Sequence, residues 1–153
     1  MRRFLPYNHN LALLILRLTL AAVLLYHGIP KLLHFGEAIA SWQNMDLPST
    51  PLIDTPVAVT LAVLAEPIGG FLILLGVIVD LAGLLVVIDM LGAIILVHLP
   101  NGFDFTEGGW EHPFTVLGMA LALALAGPGR YAIGKRDYQG AERRRRGERR
   151  IGD

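Results

Sequence analysis

Four apolar runs divide the chain, at about 11–33, 57–79, 81–99 and 113–127, and polar punctuation separates them. A helix needs about 20 mainly apolar residues, each rising roughly 1.5 Å, to cross about 30 Å of hydrocarbon. The first three runs meet that length. The fourth meets it by borrowing from Trp110–His112, giving expected spans of about 11–33, 57–79, 81–99 and 111–127. The pattern predicts an all-α membrane protein, an antiparallel bundle of four transmembrane helices. Small residues stud these spans (Gly69, Gly70, Gly76, Gly83, Gly92, Gly118, and the alanines from Ala120 to Ala126), and in lipid they let helices approach closely.

The connections are distinct. A polar segment of about 20 residues, with Gly36, Phe35, Trp42 and the prolines Pro48, Pro51 and Pro56, follows the first run and is expected to fold back onto the membrane surface. Only Val79-Asp80 part the second and third runs, which predicts a tight hairpin with Asp80 capping the third helix. Pro100-Asn101-Gly102 ends the third span and opens an aromatic and acidic loop, 103–112, suited to the membrane–water boundary. Gly127-Pro128-Gly129 stops the last.

Charge sharpens this picture. The chain is 54% hydrophobic and 17% charged, with a formal net charge of zero. Eleven of its thirteen Lys and Arg lie in residues 1–10 or 128–153, whereas nine acids lie in 11–127. The excess of Lys and Arg on cytoplasmic flanks puts both termini in the cytoplasm and the loops 34–56 and 100–112 outside. The domain is then 1–131, followed by a basic, disordered cytoplasmic tail, 132–153. That tail suits anionic headgroups, and no aromatic residues interleave it to read nucleic acid. Arg17 interrupts the first apolar run and no A-x-A site follows, so a cleaved signal peptide is not expected. The absence of cysteine excludes disulfides and thiolate ligation of metal or iron–sulfur clusters by this chain.

Six ionisable residues lie inside the apolar runs: Arg17, His27 and Lys31 in the first, Glu66 in the second, Asp89 and His98 in the third. Even on a lenient scale each costs about 2.5–3.5 kcal/mol at the centre of a membrane, so they are expected to face a polar interior. At about 100° per residue, Arg17, His27 and Lys31 share one stripe of the first helix. With the N-terminus inside, Arg17 lies about 9 Å and Asp89 about 12 Å above the inner boundary, which predicts a buried Arg17–Asp89 pair that registers the helices. Glu66 lies about 14 Å and His27 about 9 Å below the outer boundary, making His27 and Lys31 its candidate partners. Pro67 removes a backbone donor beside Glu66 and opens the helix there. His98, Glu111 and His112 complete an outer cluster. A haem held by His27 and His98 has no supporting local motif, and adjacent Glu111 and His112 point apart, so no metal site is expected.

Arg17, Gly28-Ile29-Pro30-Lys31, Glu66-Pro67-Ile68-Gly69-Gly70, Gly76, Met90, Ala93, His98, Gly102-Phe103 and Gly127-Pro128-Gly129-Arg130 together resemble the DoxX family of small four-span bacterial membrane proteins. The likeness runs through most of 11–131. Asp89 and the 103–112 loop are less typical, and no family role is carried onto them. The family takes its name from a subunit of an archaeal thiosulfate:quinone oxidoreductase, and other members are linked to membrane redox complexes. The resemblance thus implies an inner-membrane subunit of an oxidoreductase system that engages quinone or a small substrate in an outer-leaflet cavity. In that scheme Lys31 and His98 donate to a substrate oxygen and Glu66 exchanges a proton. His27, Arg17, Glu111 and His112 surround the substrate. The partners expected are the bilayer, a redox subunit and a second copy of the chain. The alternatives are a non-enzymatic accessory subunit and a transporter of small molecules or lipid.

Overall fold

The computed structural model describes residues 8–44 and 56–133. Arg2, Arg3, the Pro48/Pro51 stretch and the basic tail beyond residue 133 lie outside the described residues. Five α-helices form: α1 (His9–Leu33), α2 (Phe35–Gln43), α3 (Pro56–Leu75), α4 (Val79–Gly92) and α5 (Glu111–Ala126), and no strand occurs among the described residues. A wide π-helical turn (Ala93–His98) and a 3₁₀ turn (Leu99–Asn101) prolong α4. Two continuous helices, His9–Leu33 and Val79–Asn101, are long and apolar enough to cross a membrane; the apolar helices Thr60–Leu75 and Glu111–Ala126 are shorter.

Small residues set the packing. A Cβ built on Gly28 of α1 would lie 2.5 Å from the Pro67 nitrogen of α3, so the two backbones touch at that level. Gly70 faces Leu24 and Leu25, and Arg17 reaches Ile73, so α1 and α3 run antiparallel. Gly69 lies on Val86 of α4, and Gly83 lies against the Ala120 carbonyl and Ala124 of α5. These contacts enclose one apolar core, in which Leu20, Ile73, Val86, Ala120 and Leu123 are fully buried. The outer faces of the same helices are also apolar: Ile15, Leu61, Ile88 and Leu125 are 56%, 63%, 59% and 81% exposed. A water-soluble monomer rarely shows such continuous apolar surface, whereas lipid matches it at no cost.

α2 falls in the segment expected to fold back. It packs on α3 and α1 and brings Trp42 over the end of the bundle. The hairpin between α3 and α4 is as tight as expected but differently built. Gly76 (φ +74°) and Ile78 (φ +42°) make the turn, and Ile78 stands at the N-cap with no side-chain bond. Asp80 therefore falls in the first turn of α4, where a carboxylate still meets the positive end of the helix dipole.

Arg17 closes the end of the bundle where α1 starts and α5 exits. It is 1% exposed. Its Nε donates to the Ile73 carbonyl (3.0 Å), Nη2 to Leu74 (2.8 Å), and Nη1 to Pro128 and Tyr131 (both 3.1 Å). The first two acceptors lie in the last turn of α3, where a cation is favoured, and the Ile73 carbonyl also accepts from the Gly76 amide (3.1 Å). The expected Arg17–Asp89 pair does not form. Five planar donors fit a fan of carbonyls better than one carboxylate, and this fan takes four of the five. Gly76 makes room for it: a Cβ there would sit 2.5 Å from Arg17 Nη2.

Two outcomes test this packing. Arg17→Ala removes four buried hydrogen bonds to carbonyls and should cost about 3–5 kcal/mol, read as a large drop in Tm in detergent, with Arg17→Lys between it and wild type. Gly28→Leu should lower Tm strongly by forcing α1 from α3. Gly118→Leu, whose new side chain meets open space, should leave Tm unchanged.

Candidate functional site

Close contact of α1 and α3 at Gly28 and Pro67 decides what faces what one turn further along. Lys31 follows Gly28 by three residues and Glu66 precedes Pro67 by one. Lys31 Nζ lies 2.7 Å from Glu66 Oε2, a contact short enough to be a charge-assisted hydrogen bond. Each partner stands next to a proline, Pro30 and Pro67, and each proline leaves the carbonyl four residues earlier without its usual amide donor. The glutamate side chain is nearly enclosed (12% exposed), and the lysine is partly open (41%).

Two cavities flank this pair and share Lys31, Glu66, Met90, Ala93 and His98 as walls. One, of about 300 Å³, lies toward α2 and adds Ser41, Trp42 and Asp89. The other, of about 410 Å³, lies toward α5 and adds His27, His112 and the Phe105–Gly109 turn. The expected outer cluster of His27, Lys31, Glu66, His98 and His112 is therefore brought together. The His27 and His112 rings are 5.0 Å apart, centre to centre.

Asp89 belongs to this cluster and not to Arg17. It lines the α2-side cavity and interacts electrostatically with both Glu66 and Lys31. In an uninterrupted α-helix Asp89 and His98, nine residues apart, would point in opposite directions at about 100° per residue. The π-helical turn between Ala93 and His98 advances less per residue, and so both side chains reach the same cavity. The depth count held a hint: Asp89 lies nearly as close in depth to Glu66 as to Arg17. Sequence reasoning also passed over Trp42 as a wall of the site.

His98 has a defined orientation. Its Nδ1 is 2.7 Å from the Gly108 carbonyl, and because a carbonyl only accepts, Nδ1 carries the hydrogen and Nε2 is left for other partners. Asn101 Nδ2 donates to the same carbonyl (3.2 Å). The loop bearing Gly108 is closed by backbone bonds from Gly109 to Asp104, Trp110 to Gly102 and Glu111 to Phe103. Trp110, wedged edge-on between Phe103 and Phe114, anchors it. Two expected substrate contacts fall elsewhere. Glu111 is not a cavity wall, and its Oε2 accepts from the Phe105 amide at 3.4 Å. Arg17 is committed to carbonyls near the far end of the helices. Among the described residues no group of three or more His, Asp or Glu is arranged to hold a metal ion.

The loop that orients His98 should be acid-sensitive. Asp104 Oδ1 accepts from both the hydroxyl and the amide of Thr106 (2.8 Å each), and these bonds hold its carboxyl below the usual carboxylate value. A lowered value means the contribution is complete above about pH 4 and is lost as pH falls through the folded-state value. Protection of the Thr106 amide from hydrogen exchange, corrected for intrinsic rate, should be constant from neutral pH to about 5 and fall below about 4. Asp104→Asn should reduce it at neutral pH and abolish the fall below about pH 4.

Comparison with known proteins gives a family. The model of the DoxX family matches residues 12–99, a stretch that holds Arg17, His27, Lys31, Glu66, Asp89 and His98. A membrane protein of Mycobacterium tuberculosis (strain ATCC 25618 / H37Rv), itself described as uncharacterized, is 30% identical over 132 residues, covering 79% of this chain and 78% of its own length. No solved structure matches significantly. With more than half of the chain matched by the family model, this protein is a member of the DoxX family of membrane proteins.

Proposed function

We propose that the chain is a four-span inner-membrane subunit of an oxidoreductase system, and that it engages a quinone or a small substrate between Lys31 and Glu66. The observation that carries this reading is the Lys31–Glu66 contact at the shared wall of two cavities, with three histidines and a second carboxylate around it. An ion pair placed only for stability is better sealed by apolar packing; this one borders open space. In the proposed site Lys31 and His98 donate to a substrate oxygen, Glu66 exchanges a proton with it, and His27 and His112 form the opposite wall.

The ends of the bundle support an orientation with both termini in the cytoplasm. The Arg130 amide donates to Asn10 Oδ1 (3.0 Å), so the start of α1 and the exit from α5 lie side by side, as an even number of crossings requires. Arginines at both ends of the sequence favour the cytoplasm for that side. The Lys31–Glu66 site then lies in the outer half of the membrane.

An accessory role, with the polar cluster serving to fix helix register, has one observation in its favour: among the described residues no buried side-chain nitrogen or oxygen lacks a hydrogen-bond partner. Mild extraction separates the two. The oxidoreductase reading expects quinone or another small molecule to be retained, and Glu66→Gln to reduce retention and turnover tenfold or more with membrane insertion intact. A stoichiometric protein partner with no retained small molecule, and a silent Glu66→Gln, would establish the accessory role instead.

A further inference from the structure

Asp89 borders a second space besides the α2-side cavity. A groove of about 370 Å³ runs along the outer face of the bundle between α3 and α4, beneath Trp42, and it shares Trp42, Ala62 and Asp89 with that cavity. Apart from Asp89 its described walls are apolar or glycine, among them Leu61, Ile68, Ile88 and Leu96. Small residues hollow it out: Ala62, Ala65 and Gly92 stand where larger side chains would fill it, and Gly69 lets α3 approach Val86 at its floor. A Cβ built on Gly92 would meet nothing within 4 Å. A polar cavity therefore continues sideways into an apolar groove on the lipid-facing surface, with a carboxylate at the junction.

We infer that the groove holds the apolar chain of a membrane-dissolved amphiphile whose uncharged, hydrogen-bonding head lies at Asp89 and the Lys31–Glu66 pair. This rests on the reading of that pair as a ligand site and narrows the ligand from any small molecule to one with a chain. Charge selects the head. Lys31 is the only Lys or Arg among the described walls of either space, and it is already joined to Glu66, with Asp89 adding a second acid. No unpaired cation is offered to a phosphate, so an anionic phospholipid is disfavoured, whereas a carbonyl- or hydroxyl-bearing head can bond to groups already present. Size agrees, since the groove and the adjoining cavity both fall in the range of small-molecule sites.

Trp42 reports on the groove from inside it. In a Trp110→Phe background it is the only tryptophan, and a quinone ring bound beside it quenches its fluorescence. The full-length protein in phosphatidylcholine nanodiscs is titrated with decylubiquinone and, separately, with the same benzoquinone ring lacking the decyl chain. Saturable quenching by decylubiquinone is expected, at least tenfold tighter than by the chainless ring. Gly92→Leu, which fills the groove without clashing with the protein, should weaken it tenfold or more, and Gly118→Leu should not. Equal affinity for the two probes, or a silent Gly92→Leu, with binding still lost in Glu66→Gln, would overturn the groove and leave the ion-pair site standing. Linear, unsaturable quenching by decylubiquinone in every variant would mean that ordinary lipid fills the groove, and would overturn both.

Discussion

Backbone contact between α1 and α3 at Gly28 and Pro67 is the constraint on which the rest of the structure depends. It needs a residue without a side chain on one helix and a flat imino acid on the other. It fixes the register of the two helices, and register decides partners. One turn toward one end, Lys31 meets Glu66; three turns toward the other, Arg17 meets the last carbonyls of α3. Without that contact, both charges would lie in apolar surroundings with no partner in reach.

The two ends solve the same electrostatic problem in different ways. Arg17 is surrounded by neutral carbonyls that take four of its five N–H donors, and it is sealed from its surroundings. Lys31 and Glu66 satisfy each other with a single short contact, and each keeps further hydrogen-bonding capacity next to a cavity. A saturated charge holds structure together, and an unsaturated pair beside a space can do chemistry. The chain separates these roles by about four turns of α1.

Much of this was legible in the residues. Apolar run lengths located the helices because lipid and a buried core both demand continuous hydrophobicity, and depth along the helices brought Lys31 to Glu66. Three features were hidden. Arg17 looked for a carboxylate because sequence shows side chains and not the carbonyls that a helix end exposes. Asp89 was assigned to the wrong end because the π-helical turn after Gly92 breaks the 100° period by which faces are counted, and no residue in Ala93–His98 announces that turn. The extra helix α2 lay in a segment too short and too polar to stand out from the loop around it.

The bonds made by Arg17 also bear on how such a chain is put together. Its acceptors at Pro128 and Tyr131 are 111 and 114 residues further along. While the chain is being synthesised, α1 carries a guanidinium whose final partners do not yet exist. The set of carbonyls around Arg17 is complete only once residue 131 has been made, so a site anchored in α1 is among the last to be finished.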